Sequence, residues 1–279
     1  LNKLKKILLG GFGVALAGLA YYAFRVEPSW LRVRYVPVRL PRLPRAFHDY
    51  RIALISDIHM GGWMTPARFQ PVAEALHAIQ PDLIAITGDF VENYSDYAAT
   101  MLAVGLDALP RPADGIFAVM GNHDYRYGVN RVRPILQQAG IIELENSVQT
   151  LQREGQSLHI AGVDNATVGR SSLDAVLDQL PTDGAAVLLA HEPDFADLSA
   201  PTGRFDLQLS GHAHGGQVRL PGLKRPPILP TLGQRYPVGR YQVGEMVQYT
   251  TTGLGMIPPH VRLNARPEIV ILILESPAL

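Results

Sequence analysis

Five short apolar runs in this chain each end in a cluster of Asp, Asn or His, and that recurrence constrains the fold more than any other feature. Residues 51–56 run into Asp57-Ile58-His59, 82–87 into Gly88-Asp89, and 116–120 into Gly121-Asn122-His123-Asp124. Residues 185–190 run into His191-Glu192, and 207–210 into Gly211-His212-Ala213-His214-Gly215-Gly216. Runs of this length, rich in Ile, Val, Leu and Ala, read as buried strands. Between the first two lies a helix over 66–79, with Thr65 as N-cap, Pro66 at its first position and Pro81 as its stop. Strand, helix and strand in that order make a βαβ unit with a parallel pair. Asp57 and Asp89 then share one C-terminal sheet edge, where open α/β sheets carry their ligands.

The same reading predicts helices over 97–109, 129–139 and 171–180, and strands over 148–152, 158–162, 246–251 and 268–274. Residues 219–240 form a loop rich in Pro and Gly, with Arg219, Lys224, Arg225 and Arg235 among Leu220, Leu223, Ile228, Leu229 and Leu232. It reads either as a lid over an anionic, lipid-bearing substrate or as a surface loop packed on the core.

With 279 residues, of which 47% are hydrophobic, the chain can build one large α/β domain. Lys+Arg and Asp+Glu balance at 25 each, so no net field favours nucleic acid, and no nucleic-acid partner is expected. There is no cysteine, which excludes disulfides, thiolate zinc sites, iron–sulfur clusters and cysteine nucleophiles. Metal chemistry would have to use imidazole, carboxylate and amide ligands, and nine histidines are available.

Lys3, Lys5 and Lys6 precede an uncharged run over 7–24, which Arg25 closes. As a helix it reaches roughly 27 Å, enough to span a bilayer core. The expectation is an uncleaved transmembrane anchor over 1–25, ahead of a cleaved signal peptide or a surface helix. That puts the protein at the inner (plasma) membrane as a single-pass protein, with the side of its main domain open. Residues 26–48 read as a basic juxtamembrane tether or an edge strand, and 49–279 as the catalytic domain.

Asp57 and His59 are two apart, so on an extended backbone they point the same way. Glycine before Asp89, Asn122 and His212 lets the chain turn tightly where side chains must converge. Asp57, His59, Asp89, Asn122, His191, His212 and His214 suit two divalent ions of the Mn, Fe or Zn type that share one carboxylate. Two ligand carboxylates leave such a cage positive, which draws in a phosphate ester. Paired ions lower the pKa of a bridging water and clamp phosphoryl oxygens.

These motifs, in this order, resemble those of the calcineurin-like metallophosphoesterases from about residue 51 to 274. The resemblance implies an α/β fold built as a four-layer αββα sandwich, with a dinuclear site at one edge. It implies Asp57, His59, Asp89 and His214 at one metal, and Asp89 (bridging), Asn122, His191 and His212 at the other. His123 matches the histidine that contacts the phosphate and protonates the leaving oxygen, with Asp124 orienting it. The segments 211–217, 219–222, 253–255 and 266–268 are similar to a membrane-anchored bacterial branch, the YaeI-type phosphodiesterases. The expected activity is hydrolysis of a phosphodiester or diphosphate. The enzyme alternative is a UDP-2,3-diacylglucosamine pyrophosphatase of lipid A synthesis, acting on a lipid-linked nucleotide at the membrane. A catalytically silent scaffold is the alternative from another class.

Overall fold

The structure is a computed structural model that describes residues 3–92 and 95–277. From the start, α1 (Lys3–Tyr21) leads through a π-helical turn to β1 (Arg32–Arg39), β2 (Tyr50–Ile55), α2 (Pro66–Ile79), β3 (Leu83–Ile86), α3 (Asp96–Asp107) and β4 (Ile116–Ala118). Then come α4 (Asn122–Tyr127), α5 (Val129–Gln138), β5 (Ile141–Glu143), β6 (Ser147–Arg153), β7 (Gln156–Gly162), α6 (Leu173–Gln179), β8 (Ala185–Leu189) and α7 (Ala196–Ser199). The chain finishes with β9 (Leu207–Ser210), β10 (Gly239–Val243), β11 (Met246–Thr250) and β12 (Glu268–Glu275).

The strands form two six-stranded sheets, in the orders β1-β12-β2-β3-β4-β5 and β10-β11-β9-β8-β7-β6. In the first, β2 to β5 run parallel, while β12 is antiparallel to β2 and parallel to β1. In the second, β7, β8, β9 and β11 run parallel, flanked by antiparallel β6 and β10. Side chains alternate along each strand, so each sheet has two apolar faces to cover. Ile52, Leu54, Leu83 and Leu272 of the first sheet meet Ile160, Val187, Leu207 and Leu209 of the second. On the outer face of the first sheet, Ile55, Ile84 and Ile271 pack on Phe69 of α2, Leu102 of α3 and Leu136 of α5. On that of the second, Ala186 and Leu188 pack on Val176 of α6 and Ala196 of α7. Each buried Leu, Ile or Val contributes roughly 1.5–3 kcal/mol, so the stack is held as one body.

Local signals set the helix ends. Thr65 Oγ1 accepts from Arg68 N at 3.4 Å, and Ser95 Oγ accepts from Ala98 N at 3.0 Å, capping α2 and α3. The apolar run at 116–120 pairs only as far as Ala118, and the polar cluster after it opens α4 rather than a loop. β5 and β10 fall outside the strands expected from the sequence. Residues 32–39 form a strand in register with β12 along its length, at the edge of the first sheet.

The expected inner-membrane anchor is corrected here. Among the described residues, no helix is long and apolar enough to cross a membrane. The uncharged run does not continue as one α-helix: α1 stops at Tyr21, and Tyr22–Val26 is a π-helical turn with Ala23 buried. The Ala23 carbonyl accepts from Arg262 N at 3.0 Å, which ties the turn to the domain. Residues 7–21 alone span roughly 22 Å, short of the ~30 Å hydrocarbon core. The transmembrane helix and the single-pass location both fall with this.

Candidate metal centre

The five polar clusters follow the C-terminal ends of β2, β3, β4, β8 and β9. Parallel register aligns Ile55 with Ile86, Ile86 with Ala118, and Leu189 with Leu209, so the clusters emerge at one rim of both sheets. Beyond the ladders, backbone bonds hold the turns: Asp57 N donates to Gly88 O at 2.9 Å, His59 N to Asp89 O at 3.0 Å, and Gly211 N to His191 O at 3.1 Å. Asp57, His59, Asp89, His212 and His214 all adopt left-handed backbone, with φ between 49° and 64°. For a residue with a Cβ this costs roughly 1–2 kcal/mol. Five such residues at one rim is strain concentrated where side chains converge.

Two glycines answer a need for space rather than for a turn. At Gly121, whose φ is −96°, an added Cβ would lie 2.0 Å from Asp89 Oδ1. At Gly211 it would lie 2.4 Å from Asp57 Oδ2. The sequence reading credited these glycines with sharp turns; close approach of the Asp89 and Asp57 carboxylates is what they permit.

Among the described residues, the side chains gather in three groups; His59, Glu92 and His123 make one, and the other two share Asp89. One holds Asp57, His59, Asp89 and His214, the other Asp89, His191 and His212, with ligand atoms inside 4.8 Å of one another in each. Asn122 joins the second group, its Oδ1 3.2 Å from His191 Nε2. Asp89 Oδ1 accepts from the His123 backbone N–H at 2.9 Å, while Oδ2 lies 3.6 Å from His59 Nε2 and 3.3 Å from His191 Nε2.

The outward-facing ring nitrogens fix the protonation of three imidazoles. His191 Nδ1 donates to Thr87 O at 2.6 Å, and His212 Nε2 donates to Thr231 O at 2.8 Å. His59 Nδ1 lies 2.7 Å from Glu92 Oε2. Carbonyls and carboxylates only accept, so these nitrogens carry the protons and the opposite lone pairs point inward. The lone pairs of His191 Nε2 and His212 Nδ1 meet there at 3.2 Å, and His59 Nε2 lies 3.1 Å from Nε2 of His214, whose Nδ1 has no partner among the described residues. Facing lone pairs repel unless positive charge lies between them, so the residues fit a bound cation.

The titration behaviour agrees. Burial alone would push the Asp89 carboxyl up and the His191 imidazole down. Their mutual attraction reverses both, holding Asp89 well below the usual carboxylate range and His191 well above the usual imidazole range. Burial drives His214 and His212 down, and the charges of His59 and His191 add to this. A divalent cation supplies at this point the positive charge that protons otherwise bring.

His123 stands at the open side, with its side chain 15% exposed. Asp124 does not reach its ring. Asp124 Oδ2 accepts from Gly121 N at 2.8 Å, and Oδ1 from Phe90 N at 2.8 Å and Val91 N at 3.3 Å. It closes the first turn of α4 and clamps the turn after Asp89. The carboxylate beside the His123 ring is Glu92, 3.6 Å from Nδ1, so Glu92 lies between His59 and His123. The sequence reading missed Glu92; its only signal was an acid three residues after Asp89.

A cavity of about 300 Å³ opens on Asp89, Asn122, His123, His212 and His214. Its far wall is apolar, from Val218, residues 227–230, residues 257–259 and Val261. Gln217 joins these walls, bonding the backbone of Ile257 and Pro259. The basic part of the 219–240 loop is turned elsewhere: Arg235 pairs with Asp197, and Arg225 bonds the Gln234 carbonyl. Met64 is buried in the outer core and Trp63 packs beside it under Arg68, so both serve packing.

Comparison with known proteins agrees with this geometry. The calcineurin-like phosphoesterase family matches residues 50–216. The chain is similar to the uncharacterized metallophosphoesterase YkuE of Bacillus subtilis, with 31% identity over 98% of this chain and 97% of that one. It is also similar to the phosphodiesterase YaeI of Escherichia coli, with 29% identity over 90% and 91% of the two chains. In fold it resembles the sulfate thiohydrolase SoxB of Thermus thermophilus, with a TM-score of 0.50 and 14% identity over 84% of this chain and 57% of that one. The chain belongs to the calcineurin-like phosphoesterase family. That family is metal-dependent, and the buried Asp and His groups described above are able to hold metal.

Proposed function

We propose that this chain is a phosphohydrolase that works with two divalent cations and cleaves a phosphodiester or diphosphate bond. The observation that carries the proposal is the convergence of carboxylate oxygens and imidazole nitrogens, in two groups, on the single carboxylate of Asp89. Asp57, His59 and His214 would hold one ion of the Mn, Fe or Zn type, Asn122, His191 and His212 the other, and Asp89 would bridge. Bound there, the ions supply Lewis acidity towards the phosphoryl oxygens and a lowered pKa for a water. The surrounding fold is read as a four-layer αββα sandwich.

The chain's own residues do the remaining work. The His123 backbone N–H fixes one oxygen of Asp89, which leaves the other to face both groups. The His123 ring lines the cavity and is the group to donate a proton to the leaving oxygen. Glu92 lies between that ring and His59, 3.6 Å from His123 Nδ1 and 2.7 Å from His59 Nδ1. Stripping the protein with chelator, reloading it with Mn²⁺ and following bis-p-nitrophenyl phosphate tests the proposal. Uptake of two equivalents of Mn²⁺ with metal-dependent cleavage is expected. Metal uptake without cleavage at any pH would favour a silent scaffold instead.

One observation favours a narrower reading. Among the described residues that line the cavity there is no Lys or Arg, and the wall facing the ligands is apolar. This supports a substrate whose phosphate carries an apolar group, of which UDP-2,3-diacylglucosamine is one candidate. Release of uridine monophosphate from that compound, faster than cleavage of the chromogenic diester, is the result that would support it.

A further inference from the structure

Arg262 is fully buried, yet its guanidinium is aimed at no carboxylate. Nη1 donates to Ala265 O at 2.5 Å, and Nη2 to Thr252 O, Gly253 O and Gly255 O at 3.0, 3.2 and 2.5 Å. Its Nε has no partner. Burial lowers its pKa to about 10, so it stays charged at neutral pH. A buried charge without an ion-pair partner is costly, and an apolar side chain could fill the same volume. The carbonyls it gathers show what the charge does.

Those carbonyls belong to the loop that backs Asp57. Gly255 N donates to Asp57 O at 2.6 Å, and Leu254 N donates to Ser56 O at 2.9 Å. Gly253 lies so close that an added Cβ would sit 2.7 Å from Asp57 Cβ. On its other side the loop is tied to the N-terminal segment. Arg262 N donates to Ala23 O at 3.0 Å, Ala265 N donates to Glu27 Oε1 at 2.6 Å, and Arg266 lies 4.0 Å over the Trp30 ring. Asp57 itself holds a strained backbone, with φ of 51°, so its position depends on these outside restraints.

We propose that Arg262 is a positioning residue for the Asp57 side of the metal centre: by gathering the carbonyls of the 252–255 turn, it presses that turn against Asp57 and fixes where its carboxylate points. The inference rests on the two-ion reading above. It bears first on the Asp57 group, because the 252–255 turn bonds the backbone at Ser56 and Asp57, whereas the His191 and His212 rings are oriented by Thr87 and Thr231; the backbone N–H of His212, which donates to the Asp57 carboxylate at 3.0 and 3.1 Å, links the two groups.

Calorimetric titration of Mn²⁺ into the metal-stripped protein tests it, with melting temperature measured in chelator alongside. Arg262→Met is expected to weaken one Mn²⁺ by about 10- to 100-fold and to leave the other unchanged. Arg262→Lys, which keeps the charge and three donors, restores most of the loss. Gly253→Ala crowds Asp57 through the same turn, whose carbonyl accepts from Arg262, and the same selective weakening is expected; equal loss of both ions there would overturn the proposal if Arg262→Met does not fold. Equal loss of both ions, or a fall in melting temperature with both affinities intact, would overturn the proposal. Uptake of fewer than two Mn²⁺ by the unaltered chain would instead overturn the two-ion reading, and it would appear before any variant is compared.

Discussion

An imidazole that ligates through one nitrogen is oriented by what faces the other: here Thr87 O accepts from His191 and Thr231 O from His212, and Glu92 lies 2.7 Å from His59 Nδ1. Glu92→Gln keeps an acceptor for His59 but removes the negative charge that makes the ring a better ligand. It should weaken metal binding by about tenfold, as read by Mn²⁺ titration. His123→Ala should lower turnover by roughly 10²- to 10⁴-fold with metal content unchanged, since the Asp89 contact is made by its backbone. Loss of metal in that variant would mean that the ring itself is a ligand. The Asp, Asn and His that converge at the rim were legible residue by residue because each ends a visible apolar run. The partner of His123 was not. Asp124 is its sequence neighbour, but neighbours on a helix point to different sides, and Asp124 turns to Gly121, Phe90 and Val91 instead. Glu92 lies in a separate loop, and nothing in a linear reading joins residues 92 and 123.

At the scale of elements, the turn that opens α4 must touch the turn after β3. Gly121→Ala would drive a methyl into Asp89 and should remove metal from both groups together, measured as Mn²⁺ retained after gel filtration. Gly140→Ala is the contrast: its φ of +67° strains any side chain, but nothing lies within 4 Å. It should cost about 1 kcal/mol in denaturant unfolding and leave metal content intact. The strands that carry ligands were readable because they are buried on both faces and appear as unbroken apolar runs. β5 is too short to show a period, and β10 is an edge strand whose Arg, Tyr and Gln read as loop. The uncharged N-terminal run misled for a related reason: hydropathy registers composition, and cannot register that the α-helix changes form at Tyr22 and docks Ala23 into the domain.

For the molecule as a whole, the rim buries Asp57, Asp89 and four histidines that suit one another poorly without a cation. Ions that bind the folded chain and not the unfolded one should therefore stabilise it, by about 4 kcal/mol at a free concentration a thousandfold above Kd. Chelation should lower the melting temperature, and Mn²⁺ should restore it in a concentration-dependent way. A melting temperature indifferent to metal would count against a metal centre at this rim.

The strand order carries a consequence for biosynthesis. β12 is the latest strand in the sequence, yet it lies between β1 and β2, two of the earliest. While a ribosome is still translating residues 40–267, the first sheet has a slot where its inner neighbour belongs, with two unpaired edges and the apolar flanks of Ile52 and Leu54 open. Once residue 214 is made every Asp, Asn and His of the rim is present, but the sheet that aligns Asp57 with Asp89 cannot yet close. The nascent chain is thus a natural client for chaperones until β12 is inserted. Messages truncated just ahead of it should yield a product that holds every ligand and aggregates nonetheless.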